Sequence, residues 1–209
     1  AVECVAPGSL TAQRVPAALM GCLWTVCLLL LARYIARRDD YAMAATMVFL
    51  TCYNLILMGR SATWDIYCHA FMMAAIYHLT RALFEDRHSL RRFALAGTLM
   101  GLSFLSKGPV AFYALLLPYL VALTALRRPR MAGKWGGVAL LVLVMTAIGA
   151  WWYVYLLKLH PIEVSQVLHK ETGSWADHNT RPWYYYWRFF LETGVWTVLV
   201  LGALAMGYW

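Results

Sequence analysis

Three ionisable residues stand beside long apolar runs, where their desolvation needs a compensating partner. Arg60 and Lys107 each end an apolar run, and Asp65 begins one. An ionisable side chain at membrane depth is by default a hypothesis of a functional site. The two cations suit an anionic ligand such as a phosphate, and the carboxylate suits a cation or a hydroxyl group. The alternative for the cations is that their long side chains extend to lipid headgroups.

Asp65 lies in a polar cluster, from Gly59 to His69, that separates two apolar runs. Its position at the start of a predicted helix is favoured by the helix dipole. His69 follows one turn later on the same face, with Tyr67 between them, so the cluster is a candidate wall of a substrate cavity. An Asp-x₃-His spacing is a weak metal signal. A terminal charge with a buried, hydrogen-bonded histidine explains it equally well.

The stretch Ser106-Lys107-Gly108-Pro109 predicts a sharp helix stop. Gly108 suits a left-handed residue after the helix, and Pro109 suits the first turn of the next one. The result is a tight hairpin with Lys107 at its tip. An ammonium group and free backbone N–H groups there could bind a phosphate together.

The least apolar region is a long segment over residues 158–188, which we predict to be a loop on the outer face. Its His169, Glu171 and His178 could ligate a divalent metal ion, but their spacing is not diagnostic, and a solvated loop is the alternative. Arg181 and Tyr184 lie near its end, within an aromatic run. Such runs are typical of interfacial belts, although the same rings could stack on a sugar or an isoprenoid chain.

These residues must be positioned by membrane helices. Hydrophobic residues make up 62% of the chain and charged residues 13%, about half the charge of a soluble domain. We predict an all-α, polytopic transmembrane helical bundle that forms one membrane domain over residues 1–209. About seven apolar segments approach the length of a bilayer-spanning helix, namely Val15–Ala32, Tyr41–Met58, Ile66–Leu83, Phe93–Leu105, Val110–Leu126, Trp135–Leu157 and Phe190–Trp209.

Basic residues concentrate at one end of the predicted spans. Three short loops there carry eleven of them: Arg33, Arg37, Arg38, Arg81, Arg87, Arg91, Arg92, Arg127, Arg128, Arg130 and Lys134. We predict that this end is cytoplasmic and that the net charge of +8 is an orientation signal, with no nucleic-acid partner required. The remaining seven basic residues, including Arg60 and Lys107, fall on the outer side, where insertion disfavours them. The five cysteines do not form a disulfide framework.

The order of these motifs resembles the membrane-embedded glycosyltransferases of the GT-C class. The branch it resembles is shared by protein O-mannosyltransferases and the aminoarabinose transferases that modify lipid A. The matching segments are Ala12–Pro16, Arg60 to Asp65, Gly101–Pro109, Trp151–Tyr153 and Arg181–Tyr186. The Leu-Ser-Lys-Gly-Pro turn that ends at Pro109 is the most specific of them.

This resemblance implies that a sugar is transferred, with inversion, from a polyprenyl-phosphate carrier to a lipid, glycan or protein acceptor. The resemblance implies a reaction at the outer, periplasmic or extracytoplasmic, face of a plasma membrane, which we expect to be the bacterial inner membrane. Lys107 would contact the carrier phosphate with help from Arg60, and Asp65 would be an acidic catalytic residue. His169, Glu171 and His178 would shape the cavity and hold any metal ion.

One motif of the family is missing from the expected place. An Asp-Glu pair belongs in the first outer loop, yet only Glu3 precedes Arg14. We expect this pair to lie upstream of residue 1 and further helices to follow residue 209, so that the segment alone is inactive. A transporter or flippase for a phosphorylated lipid would explain the same outer cations. It should show internal repeats, and no convincing repeat is present. A non-catalytic scaffold would leave the outer charges without a common ligand.

Overall fold

The structure is a computed structural model that describes residues 10–52, 55–57, 63–177, 182, 184 and 196–206. In these ranges the chain is helical and contains no strand, which confirms the all-α fold class. The helices are α1 (Leu10–Ala36), α2 (Asp39–Leu50), α3 (Trp64–Phe84), α4 (Ser89–Lys107), α5 (Leu117–Leu126), α6 (Trp135–Leu159), α7 (Pro161–Asp177) and α8 (Thr197–Met206).

Two of these helices are long and apolar enough to cross a membrane. They are α6, with 25 residues, and the Arg14–Ala36 part of α1, with 23. Within the most apolar 18-residue stretch of α6, only 11% of the residues are buried against the rest of the bundle. A core helix of a soluble protein would be mostly buried, whereas a helix that faces lipid leaves apolar side chains such as Leu143 exposed. The other five predicted spans stay predictions.

Helix α3 is the centre of the bundle, because it packs against both α1 and α4. One side of α3 contributes Met72 and Ile76 to the main core, where they meet Phe93 and Met100 of α4. Its first turn contributes Ile66 to a second, smaller cluster with α1. The ends of α3 and α4 that carry Asp65 and Lys107 are therefore fixed by contacts along two whole helices.

Small residues let α4 and α6 approach each other closely. A Cβ atom added to Gly97 would lie 2.6 Å from the backbone oxygen of Leu141, and one added to Gly101 would lie 2.8 Å from Cβ of Ile148. Both glycines lie on one face of α4, since they are four residues apart. This is the small-xxx-small pattern that allows membrane helices to pack with their backbones in near contact.

The helix that follows Lys107 begins with a π-helical stretch, Phe112–Leu116, and continues directly as α5. Pro118 lies at the start of α5. A proline inside a helix has no N–H to donate, and its ring clashes with a carbonyl in the preceding turn. The wider π-helical turn accommodates both effects, so that the chain continues as a helix.

Two predicted segments differ from the structure. The second apolar run is not one helix from Tyr41 to Met58, because α2 ends at Leu50. At Thr51 the backbone leaves the helical region, with φ −97° and ψ 0°, while its N–H still donates to the carbonyl oxygen of Met47. Its hydroxyl also donates to the carbonyl oxygens of Met47 and Val48. The predicted outer loop is also not irregular throughout, because α7 occupies residues 161–177 and begins at Pro161, a residue favoured in a first helical turn.

The three basic loops do lie together at one end of the bundle. Arg127, after α5, donates to the carbonyl oxygen of Ile35 near the end of α1. Lys134, before α6, donates to the carbonyl oxygens of Ala82 and Leu83 at the end of α3. We call this end of the described helices the basic end, and the end that carries Asp65 and Lys107 the opposite end.

Candidate functional site

Asp65 and Lys107, two of the residues singled out in the sequence, form an ion pair between Nζ of Lys107 and Oδ1 of Asp65. Asp65 lies in the first turn of α3, and Lys107 is the last residue of α4. Each charge is therefore at the helix end that its sign favours. The side chain of Lys107 is 44% exposed and that of Asp65 is 22% exposed, so the pair borders solvent rather than lying in the core.

The turn after Lys107 has the geometry that its sequence predicts, with one difference. Gly108 has φ 68° and ψ −147°. The positive φ is as expected, but this ψ lies outside the left-handed helical region, in a part of conformational space that is essentially restricted to glycine. The N–H of Gly108 donates to the carbonyl oxygen of Phe104 over 2.7 Å. Gly108 thus ends α4 directly after the lysine and leaves its side chain at the surface.

His69 faces α1 rather than Lys107. Its Nδ1 lies 2.7 Å from the backbone oxygen of Asp65, which joins the first two turns of α3. Its ring stacks on that of Trp24, with centroids 5.3 Å apart and planes 9° from parallel. Tyr67 lies between Asp65 and His69 in sequence and is partly buried in the same small cluster as Trp24.

Two polar groups near Asp65 are buried without a hydrogen-bond partner in the described part of the chain. They are Nε1 of Trp24 and Oγ1 of Thr63. Thr63 is the residue before α3, and its hydroxyl makes no capping bond with the helix. A buried polar atom without a partner costs free energy, and such atoms in a folded protein call for a specific explanation.

An apolar groove of about 400 Å³ lies at the opposite end, on the other side of α4. Phe104 and Pro109, on either side of Lys107, line it together with Met145 and Gly149 of α6. Its surface is almost wholly apolar, which suits a hydrocarbon chain better than a sugar. The groove therefore borders the end of the helix that carries Lys107, although Lys107 does not line it and its ammonium pairs with Asp65 on the side of α3.

Other predicted site residues are only partly placed. The predicted phosphate contact Arg60, the predicted cavity residue Arg181 and the predicted metal ligand His178 lie outside the described residues. The predicted cavity residue Tyr184 is described, and its side chain is exposed.

The predicted metal ligands are only partly described by the structure. His169 and Glu171 both belong to α7, two positions apart. No group of three ligating side chains comes together among the residues that the structure describes. Metal binding by His169, Glu171 and His178 stays a prediction, and no step below depends on it.

The basic end contains a charge cluster that the sequence does not reveal in full. Glu85, just after α3, accepts hydrogen bonds from Arg81 at 2.9 and 3.1 Å and pairs with Arg92. The hydrogen bonds from Arg81 and the nearby Arg92 lower the pKa of Glu85 to about 2. Lys134, only 10% exposed, lies over the last carbonyl oxygens of α3. These cations hold the bundle together, in addition to any role in orientation.

Sequence reasoning missed the stacking of Trp24 on His69 and the position of Lys134. The Arg81–Glu85 pair was detectable, because an acid four residues after an arginine on a helix is a contact spacing. Nothing in the sequence links Lys134 to the end of α3, since the two are about fifty residues apart.

The all-α bundle and its outward-facing apolar helices fit the GT-C class of membrane glycosyltransferases that the sequence resembles. A sequence profile of the family described as dolichyl-phosphate-mannose-protein mannosyltransferase matches residues 2–152. The match covers most of the chain, and the chain belongs to this family. No curated protein and no solved structure matches it significantly.

Proposed function

We propose that the protein transfers a sugar from a polyprenyl-phosphate carrier to a hydroxyl group of a lipid, glycan or protein acceptor. The reaction takes place at the opposite end of the bundle, which is the extracytoplasmic face if the basic end follows the usual charge rule. The observation that carries the proposal is the half-exposed Lys107 beside an apolar groove. A phosphate at the end of a hydrocarbon chain matches both parts of this surface.

The role of Lys107 follows from the charge that develops in the reaction. The acceptor oxygen bonds to the anomeric carbon, its proton leaves with a base, and the bond from that carbon to the phosphate oxygen breaks with its electron pair. Negative charge therefore accumulates on the carrier phosphate, and a preplaced cation stabilises it. An ammonium group has three N–H donors, so Lys107 can keep its bond to Asp65 and still donate to the phosphate.

Asp65 acts in this proposal as a positioning residue. Its carboxylate pairs with Lys107. The pair holds the ammonium group at the surface, next to the turn at Gly108. The sequence favours a directly catalytic role for Asp65, and the ion pair favours the indirect one. Arg60 stays a candidate for a second contact with the phosphate.

The experiment compares Lys107→Ala with Lys158→Ala in the full-length protein, using a polyprenyl-phosphate-linked sugar as donor. Lys158 is an exposed cation in the last turn of α6 whose side chain forms no ion pair among the described residues, so its loss changes the charge of the same end equally. We expect Lys107→Ala to raise the KM for the donor about tenfold or more, as loss of one charge-assisted contact does. Lys158→Ala should change it less than about twofold.

Yield and thermal stability are measured on the same preparations. A loss of folded protein that accounts for the whole loss of activity in Lys107→Ala would make the lysine structural and overturn its proposed role. Equal effects of the two substitutions would reduce that role to general attraction of an anionic lipid. No observation favours the transporter alternative.

A further inference from the structure

A second pocket, lined by basic residues, lies at the basic end, at the other end of the helices from Asp65 and Lys107. It is formed by the last turns of α1, α3 and α5 and has a volume of about 540 Å³, within the usual range for ligand sites. Three arginines line it, Arg33, Arg37 and Arg127. No carboxylate is among its lining residues in the described part of the chain.

The charges of these arginines are only partly compensated. Arg33 forms two bonds with the carboxylate of Asp39, at 2.7 and 3.0 Å. The side chain of Arg37 makes no hydrogen bond or ion pair within the described residues, and that of Arg127 makes only a long bond of 3.5 Å to a backbone oxygen. Two positive charges thus face one pocket without an acidic partner. Guanidinium groups are the side chains best suited to bind phosphate oxygens.

The interior of the pocket has a different character. Phe84, Leu123 and Leu126 line it, and Leu126 is 83% exposed, so the pocket opens onto the outer surface of the bundle. Deeper inside, Oγ1 of Thr80 donates to the carbonyl oxygen of Ile76 over 2.6 Å. Tyr119 must then donate to Thr80, because each hydroxyl has a single hydrogen. Neither hydroxyl has a hydrogen left for a phosphate, so anion binding falls to the arginines.

The pocket lies at the level of the bilayer at which lipid headgroups are expected. Helix α1 has 27 residues and is therefore about 40 Å long, close to the thickness of a bilayer with its headgroup regions. Arg37 and Arg127 directly follow the ends of α1 and α5, where lipid phosphates lie. A zwitterionic lipid would bring its own cation close to the guanidinium groups, whereas an anionic lipid would not.

We infer that this pocket binds the phosphate of an anionic phospholipid through Arg37 and Arg127, with part of an acyl chain against Phe84, Leu123 and Leu126. The inference does not rest on the proposed transferase function, because the pocket is at the other end of the helices from Lys107. It uses the position of the pocket at the membrane surface and holds for either orientation of the bundle. Basic pockets between membrane helices commonly recognise such headgroups.

The test uses the purified full-length protein in a nonionic detergent, titrated with phosphatidylglycerol or with phosphatidylcholine. Bound lipid is counted by native mass spectrometry, and the shift in Tm is measured in parallel. We expect phosphatidylglycerol to bind and to raise Tm, with little effect of phosphatidylcholine. The double variant Arg37→Gln/Arg127→Gln should weaken phosphatidylglycerol binding about tenfold, since each basic contact with an anionic headgroup is worth a few-fold in affinity.

The matched control is Arg91→Gln/Arg130→Gln, which removes two exposed charges at the same end but outside the pocket. Equal weakening by both double variants would show diffuse attraction and overturn the inference. So would unchanged binding by Arg37→Gln/Arg127→Gln, or a Tm shift with inorganic phosphate alone that equals the lipid's. If Arg37→Gln/Arg127→Gln does not fold, phosphatidylglycerol binding is measured on Ala122→Trp, because this substitution fills the pocket and keeps the arginines. Unchanged binding in that variant would also overturn the inference.

Discussion

Lys107, the last residue of α4, is paired with Asp65 in the first turn of α3, although the two are 42 positions apart in the chain. The pair joins the ends of the two helices that pack most extensively in the bundle. It also joins the most specific motif of the sequence, the turn at Gly108, to the polar cluster that begins the central helix. A substitution at either residue therefore acts on the other.

The first prediction concerns the coupling between these two charges. In a double-mutant cycle with Asp65→Asn and Lys107→Met, we expect a coupling of about 0.5–1 kcal/mol in the free energy of unfolding, as is usual for a partly exposed pair. The donor KM should rise in each single variant and rise no further in the double variant. Asp65→Glu should restore part of the loss, because it keeps the carboxylate.

Thermal unfolding and donor titrations on all four proteins supply the measurement. Additive effects on both quantities would mean that Asp65 does not act through Lys107. Coupling in stability with additive effects on KM would leave the pair structural and the positioning role wrong.

The second prediction concerns the close approach of α4 and α6. Gly97→Ala would place a methyl group 2.6 Å from the backbone oxygen of Leu141, and a backbone atom cannot rotate away as a side chain can. We expect a loss of about 1–3 kcal/mol in stability, as in other overpacked helix contacts. The measurement is thermal unfolding of the purified protein in detergent.

Gly136→Ala is the control, because a Cβ atom there meets nothing within 4 Å. It should leave stability unchanged or raise it by up to about 1 kcal/mol, since alanine favours a helix over glycine. If both substitutions were neutral, the contact at Gly97 would not limit the approach of the helices.

The helical fold follows from the sequence because apolar runs of this length have no alternative to helices in a membrane. All seven runs overlap helices in the described residues, and the ends of α3 and α6 fall within a few residues of expectation. The early end of α2 was missed, since Thr51 is compatible with a helix interior, as Thr46 and Thr80 show. The helix in residues 161–177 was missed because polar residues dominate there and hide its period.

The candidate site is less predictable than the fold. The sequence places Asp65 and Lys107 at the same end of the bundle, because one short connection makes α3 and α4 antiparallel, so that the start of α3 and the end of α4 share a side. It does not give their contact, which depends on the relative shift and rotation of α3 and α4. Those are set by the packing of residues such as Met72 against Met100. The same reason hides the stacking of Trp24 on His69.

The third prediction uses the lowered pKa of Glu85. Its value in the folded protein is about 2, compared with a model-peptide value of 4.5. The carboxylate therefore stabilises the fold fully above about pH 4.5, and this contribution disappears as the pH falls towards 2. We expect Glu85→Gln to lower stability on the order of 2 kcal/mol near neutral pH, because Arg92 loses its partner. The variant should also lose less than the wild type on acidification.

Thermal unfolding between about pH 6 and pH 3 checks this prediction. The comparison variant is Asp86→Asn, the neighbouring carboxylate. Asp86 pairs with Lys134 at 3.2 Å, but its side chain is 97% exposed, so the loss should be less than about 1 kcal/mol. Parallel pH profiles of the wild type and Glu85→Gln would contradict the assignment of the acid sensitivity to Glu85.

The fourth prediction separates the structural cations of the basic end from those that serve only orientation. The ammonium of Lys134 donates to the carbonyl oxygens of Ala82 and Leu83 at 3.0 and 2.8 Å, and its side chain is 10% exposed. It satisfies carbonyl groups that the end of α3 leaves without partners. Lys134→Met keeps the length of the side chain and removes these bonds, so we expect a loss of about 1–3 kcal/mol in the free energy of unfolding.

Arg130→Met removes an equal charge from the same loop without such bonds and should change stability by less than about 0.5 kcal/mol. Equal stability of the two variants, measured by thermal unfolding in one detergent, would mean that Lys134 serves only as an orientation signal.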